Sequence, residues 1–399
     1  MLLSLALIFL CGMILGKIFS LLKLPSLLGL IITGIILGPY CLNLLDNSIL
    51  SISADLRELA LIIILTRAGL NLDIEDLKKV GRPAILMCFV PASFEIIGMV
   101  LIAPKLFDIT LLEAALMGSV VAAVSPAVLV PKMLKLMEEK YGTNKSIPQL
   151  LMAGASVDDI FVIVLFASFT SLVKGGTVSA LDFVKIPTSI IFGLLAGILI
   201  AFILAKFFTR FHIRDSAKVV IILSISFILI TIENSISKLF GGIIGFSGLL
   251  AVMSTGAYLK SKKAELAKRL SLKYSKLWVA AEIMLFVLVG AAVNINYALN
   301  TGLTGIILIF GALIFRMLGV LVSLIKTRLN KKERIFSMIA YCPKATVQAA
   351  IGSIPLSLGF ASGEIILTIA VLAILITAPL GAFGIEFFYK RLLEHEQNI

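Results

Sequence analysis

The stretch Ala155-Ser156-Val157-Asp158-Asp159-Ile160-Phe161 sets two carboxylates side by side inside an apolar run. The run extends from Ile147 to Leu172, which is long enough for a helix to cross the hydrocarbon core of a membrane. A charge at the bilayer centre costs roughly 2.5–3.5 kcal/mol on insertion scales, so an acid pair there needs a partner, water or a function. The alternative is that the pair caps a helix or lies in a re-entrant loop, but the flanking residues carry no turn signal. The stretch therefore predicts a membrane helix with a functional acid pair.

The composition of the whole chain agrees with a membrane protein. Of 399 residues, 60% are hydrophobic and 15% are charged, whereas a soluble globular domain is roughly 45–50% apolar and about a quarter charged. The 35 Lys and Arg residues give a net charge of +12 and lie mostly in short links between apolar runs. That distribution favours a positive-inside membrane protein over a nucleic-acid-binding protein. We therefore predict an all-α polytopic membrane protein that has the lipid bilayer as its partner and binds no nucleic acid.

The apolar runs of helix length number about 13. Lys and Arg concentrate in the links that follow the odd-numbered runs and in the C-terminal tail. By the positive-inside rule, we expect the N-terminus outside and the C-terminus in the cytoplasm. We expect the protein in the plasma membrane, which is the inner membrane of the cell. The first run lacks a basic n-region and a convincing cleavage site, so we expect a retained span rather than a signal peptide.

About 13 spans divide into two sets of six with one linker between them, so the two sets begin on opposite sides of the membrane. Two spans in matching positions of the sets are interrupted by proline, at Val124-Ser125-Pro126-Ala127 and Tyr341-Cys342-Pro343-Lys344-Ala345. Paired broken helices indicate a transporter's midplane site, although proline could simply kink two ordinary helices. The predicted division is a first inverted repeat at 1–172, a linker helix at 187–208, a second inverted repeat at 219–388 and a cytoplasmic tail at 389–399.

Three further charges fall inside predicted spans. Glu95 and Arg316 lie midway along the fourth span of each set, and inverted symmetry would bring them together as a structural ion pair that bridges the repeats. One or both could instead line a cation path. Lys344 follows the second break, where its ammonium could neutralise helix C-terminal ends and compensate charge at the site.

Two adjacent anions in a low dielectric repel each other, so Asp158 and Asp159 should titrate as a coupled unit. A carboxylate that holds either H⁺ or a hard cation such as Na⁺ makes the two ions compete, and oxygen ligands suit such cations. The pair therefore predicts a proton-coupled cation carrier with Na⁺ bound at these two acids.

Other chemistry has few residues to use. His212 and His395 are the only histidines, and the four cysteines (Cys11, Cys41, Cys88 and Cys342) lie in or beside apolar runs, so neither a transition-metal site nor a disulfide framework is expected. We predict no cofactor. Gly34 and Gly38 form a GxxxG pattern that would let two helix backbones approach closely. The basic stretch Lys260 to Lys276 is expected to be a loop that determines topology, or a contact for anionic headgroups.

Several motifs in combination resemble the monovalent cation/proton antiporters, and within them the NHA-type sodium/proton antiporters. The matching segments are Leu22 to Gly29, Gly34 to Pro39, Arg67 to Leu70, Val121 to Pro131, the Asp158-Asp159 pair and Pro343 to Ala350. The resemblance implies about 13 helices with crossed broken helices, arranged as a dimerisation domain and a mobile core domain in a homodimer that moves like an elevator.

The resemblance also implies roles for individual residues. Asp159 would be the principal ion-binding and proton-accepting carboxylate, with Asp158 assisting, and Ser125 and Thr346 would be oxygen ligands or site-lining groups at the helix breaks. Glu95 and Arg316 match the family's interhelical ion pair, and Lys344 matches its lysine at the second break. Whether Glu95 draws Arg316 away from Asp158 is left open.

The leading hypothesis is therefore a secondary antiporter that exchanges Na⁺ or Li⁺ for H⁺ across the plasma membrane by alternating access. A K⁺/H⁺ antiporter or K⁺ efflux carrier of the same fold is the alternative, and a passive cation channel is a remote one. An intramembrane aspartyl protease needs one acid on each of two helices, whereas consecutive residues of one helix point roughly 100° apart. No enzymatic activity is expected.

Overall fold

The computed structural model describes residues 1–22, 24–72, 81–175, 182–211, 213–239 and 246–396. Some predicted features fall partly outside this part. They are residues 23, 73–80 and 240–245 of the predicted repeats and residues 397–399 of the predicted tail. Residue 23 also belongs to the first segment of the family resemblance. The described residues form helices and no strand, and Tyr141 and His395 make an isolated β-bridge. The helices are α1 Leu2–Leu21, α2 Ser26–Leu37, α3 Asn47–Ser51, α4 Ser53–Asn71, α5 Arg82–Met87, α6 Val90–Leu106, α7 Leu111–Val121, α8 Pro126–Glu138, α9 Ile147–Gly175, α10 Asp182–Arg210, α11 Asp215–Leu239, α12 Gly248–Lys262, α13 Ala264–Ala291, α14 Ile295–Ser323, α15 Lys331–Ala340, α16 Thr346–Ile351, α17 Ile354–Ser357 and α18 Gly363–Leu392.

Within the described ranges, nine helical segments are long and apolar enough to cross a membrane. The sequence predicts about 13 spans, and the difference lies in the shorter or more polar helices. α2 is apolar but has 12 residues, and α4 carries Asp55, Arg57 and Glu58 in its first two turns. The all-helical membrane architecture is confirmed, whereas the number of spans stays a prediction.

The two predicted helix breaks are present. α7 ends at Val121 and α8 begins at Pro126, and α15 ends at Ala340 and α16 begins at Thr346. Proline has no N–H to donate and is tolerated in the first turn of a helix, so Pro126 starts α8 where α7 cannot continue. The residues between the half-helices therefore present backbone groups without helical partners.

The basic stretch from Lys260 to Lys276 is not a loop, which corrects the sequence prediction. α12 continues to Lys262 and α13 begins at Ala264. Ala267, Leu270 and Tyr274 recur at helical spacing and are fully buried, so this part of α13 is amphipathic. The density of lysine obscured that periodicity.

The chain forms two compact units. The first comprises Met1–Ala54, Glu75–Val162 and Ile283–Ile399, and the second comprises Asp55–Ile74 and Ile163–Glu282. In the first unit, α6 packs along α14 and α1 packs on α2. In the second, α12 packs between α10 and α11. Each unit draws on both predicted repeats, so the inverted-repeat division of the sequence stays a prediction.

The GxxxG pattern of α2 permits the close helix contact that its sequence predicts. A Cβ atom on Gly34 would lie 1.9 Å from the Val287 carbonyl oxygen of α13, and one on Gly38 would lie 2.9 Å from the Ala291 Cα. Both distances are far below van der Waals contact, and both neighbouring atoms belong to backbone that cannot rotate away. Only glycine fits at these positions.

We expect Gly34→Ala to destabilise the protein by about 1–3 kcal/mol, because overpacking forces the backbones of α2 and α13 apart. Thermal unfolding in detergent measures this as a lower melting temperature. Gly302→Ala is the matched control, since a Cβ there meets nothing within 4 Å and alanine is the better helix former. An unchanged melting temperature for Gly34→Ala would contradict the close contact.

Candidate functional site

Asp158 and Asp159 lie near the middle of α9, and they have different surroundings. Asp158 is fully buried, and its Oδ2 accepts hydrogen bonds from the Val124 backbone N–H at 2.8 Å and from Arg316 Nη2 at 3.0 Å. Asp159 is half-buried. A helix turns about 100° between consecutive residues, so the two side chains point in different directions. The first acid thus faces the break between α7 and α8, and the second points elsewhere around α9.

The break between α7 and α8 offers its backbone to side chains from other helices. Val124 donates to Asp158, and the Ala122 carbonyl accepts from Arg316 Nη1 and from Lys344 Nζ, the latter at 3.3 Å. A helix end leaves carbonyl groups unpaired, and cations there are favoured by the helix dipole. Polar side chains therefore take the place of the hydrogen bonds that the helix lacks.

The two breaks also contact each other directly. The Ser125 N–H donates to the Pro343 carbonyl at 2.8 Å. Gln348 of α16 donates through Nε2 to the carbonyls of Val121 at 2.9 Å and Ala123 at 2.8 Å. The four half-helices are thus held as one cluster, and both interruptions predicted from proline belong to the same site.

Glu95 joins the two basic residues. Its Oε2 lies 2.8 Å from Arg316 Nη1 and 2.6 Å from Lys344 Nζ, and all three side chains are fully buried. Arg316 contacts Asp158 through its other terminal nitrogen, so Glu95 does not draw the arginine away from that acid. Buried charges persist only when they are paired and hydrogen-bonded, and here two acids and two bases form one connected set.

Several buried oxygen atoms at the site lack a hydrogen-bond partner among the described residues. They are Asp158 Oδ1, Asp159 Oδ1, Ser125 Oγ and Glu95 Oε1. A buried polar atom without a partner is costly and requires an explanation. Carboxylate and hydroxyl oxygens are the ligands that hard cations prefer, so these atoms have the chemistry to bind a small cation or, in the case of the carboxylates, a proton.

Thr346 is buried at the start of α16, but no hydrogen bond joins its hydroxyl to Asp158 or Asp159 within the described part. Pro126 and Pro343 lie at the two breaks. Within that part, no group of three or more His, Cys, Asp or Glu side chains is placed to hold a metal ion.

Sequence reasoning missed three residues of this cluster. Tyr341 accepts from Arg316 Nε at 2.6 Å through its carbonyl, and the guanidinium carbon lies 5.0 Å from the centre of its ring. Thr377 Oγ1 accepts from the Lys344 N–H at 2.9 Å. Gln348 donates to the Val121 and Ala123 carbonyls at the end of α7. Tyr341 and Gln348 lie in or beside the second break, so their positions in the sequence could have indicated that they belong to the site. Nothing near Thr377 in the sequence points to the site.

Comparisons with known proteins identify one family and a matching fold. A family model described as "Sodium/hydrogen exchanger, transmembrane" matches residues 5–391. The chain is 33% identical to human sodium/hydrogen exchanger 9B2, over 98% of this chain and 75% of that protein, and 32% identical to sodium/hydrogen exchanger 9B1 of Macaca fascicularis, over 99% and 79%. Its fold matches the sodium proton antiporter MjNhaP1 from Methanocaldococcus jannaschii with a TM-score of 0.85 at 22% identity, over 97% of each chain.

The family match spans nearly all of the chain, and it agrees with the all-helical membrane fold and with the antiporter resemblance of the motifs. The protein is accordingly a multi-pass membrane transporter rather than an enzyme. The chain belongs to the transmembrane sodium/hydrogen exchanger family of monovalent cation/proton antiporters.

Proposed function

We propose that this protein exchanges Na⁺ or Li⁺ for H⁺, with the two ions competing for a site at Asp159 that Asp158 assists. The observation that carries the proposal is the difference between the two acids. Asp158 receives two hydrogen bonds, one of them from a cation. Asp159 Oδ1 is buried and has no partner in the described part of the chain.

Charge balance supports the same assignment. Glu95 and Asp158 carry two negative charges, and Arg316 and Lys344 carry two positive charges, all within one connected network. Asp159 stands outside that balance. An ionised carboxylate without a counter-ion is costly in a low dielectric, so binding of either H⁺ or an alkali cation lowers its free energy, and one ion replaces the other.

The remaining oxygen atoms of the site belong to the same proposal. Ser125 Oγ is buried without a partner and follows Val124, which already contacts Asp158. We propose Ser125 Oγ as a further Na⁺ ligand beside the acid pair. Thr346, at the first residue of α16, is the proposed oxygen ligand from the second break, and Lys344 compensates charge.

The transport cycle that we propose is alternating access. The inverted repeats at 1–172 and 219–388, the linker at 187–208 and the tail at 389–399 supply the architecture, with a dimerisation domain and a moving core in a homodimer. By the positive-inside rule, the basic links favour a cytoplasmic C-terminus and an N-terminus outside, and we propose the plasma membrane as the location. The relatives are named sodium/hydrogen exchangers, which supports Na⁺ as the exchanged cation.

Everted membrane vesicles with a pH-sensitive dye test the proposal. After respiration acidifies the lumen and quenches the dye, we expect Na⁺ and Li⁺ to restore fluorescence, because their entry drives protons out, and we expect K⁺ to have little effect. Vesicles without the protein are the control. An equal response to K⁺ would favour the K⁺/H⁺ alternative, and Na⁺ uptake that continues unchanged after collapse of the pH gradient would favour a channel.

A further inference from the structure

A basic cavity lies in the first compact unit where α15 begins and α18 ends, separate from the network around Asp158. Its volume is about 480 Å³. Lys331 and Lys332 line it from the first turn of α15, and Arg391 lines it from the last turn of α18. All three side chains are exposed, and no carboxylate forms an ion pair with any of them within the described residues. Three cations thus converge on a cavity without an anion to neutralise them.

Glu394 is the acid that lines the cavity, and it is engaged by other groups. Its carboxylate accepts hydrogen bonds from Asn144 at 3.1 Å and Asn330 at 3.2 Å, and it pairs with Lys145 at 3.4 Å. The hydrogen bond from Asn144, followed by those from Lys145 and Asn330, lowers the pKa of Glu394 below its usual value. It therefore stays ionised and in these contacts at neutral pH, and it leaves the three cations of the cavity in excess.

An apolar stripe leads to the same cavity along α18. Leu380, Phe383 and Phe387 recur three and four residues apart, so they share one helix face, and all three are exposed. Ile335 of α15, which packs on α18, is exposed as well. The guanidinium carbon of Arg391 lies 4.6 Å from the centre of the Phe387 ring, so the stripe and the basic cavity meet at this pair.

We propose that the cavity binds the phosphate of an anionic phospholipid whose acyl chains lie along the stripe of Leu380, Phe383 and Phe387. Basic pockets between membrane helices on the cytoplasmic side are suited to acidic headgroups, and guanidinium and ammonium groups bind phosphate oxygens by charge-assisted hydrogen bonds. A soluble phosphate would satisfy the cations but would leave the stripe unused. The adjoining apolar face therefore selects a lipid over a free anion.

Thermal unfolding of delipidated protein tests this site with three probes: phosphatidylglycerol, phosphatidylcholine and inorganic phosphate. We expect phosphatidylglycerol to raise the melting temperature and the other two to leave it unchanged, because a ligand stabilises the state that binds it. The variant K331Q/K332Q/R391Q should lose most of that rise. K17Q/K105Q/K174Q, which removes three exposed positive charges that do not line the cavity, should keep it.

An equal rise with phosphatidylcholine, an equal rise with inorganic phosphate, or a full rise in K331Q/K332Q/R391Q would each overturn the proposal. Should the triple variant fail to purify, K331Q/K332Q provides the same comparison. Its loss of the phosphatidylglycerol response supports the site, and a retained response removes it. The readout is binding alone, so the result does not depend on which cation the protein transports.

Discussion

Asp159→Asn is expected to abolish cation/proton exchange while leaving the protein folded. Asparagine has nearly the shape of aspartate, and Asp159 Oδ1 makes no hydrogen bond within the described part that the change would break. The amide, however, neither accepts a proton near neutral pH nor offers a negative charge to Na⁺. In everted vesicles, the recovery of dye fluorescence on addition of Na⁺ or Li⁺ should fall to the level of vesicles that lack the protein.

The matched control is Asp108→Asn, which makes the same chemical change in the link between α6 and α7. It should keep the response of the wild type. The amounts of both variants in the membrane are compared by immunoblot, so that loss of transport is separated from loss of protein. If Asp159→Asn vesicles respond to Na⁺ as the wild type does, the exchanged ions bind elsewhere and the assignment of Asp159 is wrong.

The parts of the fold that follow from local chemistry were predictable. Long apolar runs define helices, and Pro126 and Pro343 mark where two of them are interrupted, because proline removes a backbone donor wherever it stands. The extent of α13 does not follow from the charge pattern, because the density of lysine in its first half favours a loop, whereas Leu270 and Tyr274 recur at helical spacing and are buried. The helical period of the buried residues was present in the sequence, but the number of charged residues favoured a loop.

The contacts of the site were predictable only in part. The proximity of Glu95 and Arg316 was an expectation from inverted symmetry, and the two side chains lie 2.8 Å apart. That Lys344 shares the same carboxylate oxygen was not expected, because these residues are 249 positions apart in the chain and no periodicity relates them. Such a contact depends on how half-helices pack in three dimensions, which a single sequence does not specify.

Arg316→Met is expected to destabilise the protein by about 3–5 kcal/mol, the usual cost of removing one partner from a buried charge network. Arginine here contacts both Glu95 and Asp158 as well as the Tyr341 carbonyl. Methionine fills much of the volume but donates to none of them, so two buried acids would share the single charge of Lys344. The loss of stability is measured as a lower melting temperature in detergent, which is monitored by size exclusion with fluorescence detection.

A second change separates electrostatics from packing. Glu95→Gln added to Arg316→Met restores the balance of one acid and one base, so the double variant should be more stable than the sum of the two single variants predicts. Arg269→Met is the control, because Arg269 pairs with Asp215 at an exposed position, where an ion pair contributes about 0–1 kcal/mol. Strict additivity of the Glu95 and Arg316 changes would mean that the two charges do not depend on each other. The stability of the helix breaks would then have to arise from backbone contacts such as the hydrogen bond between Ser125 and Pro343.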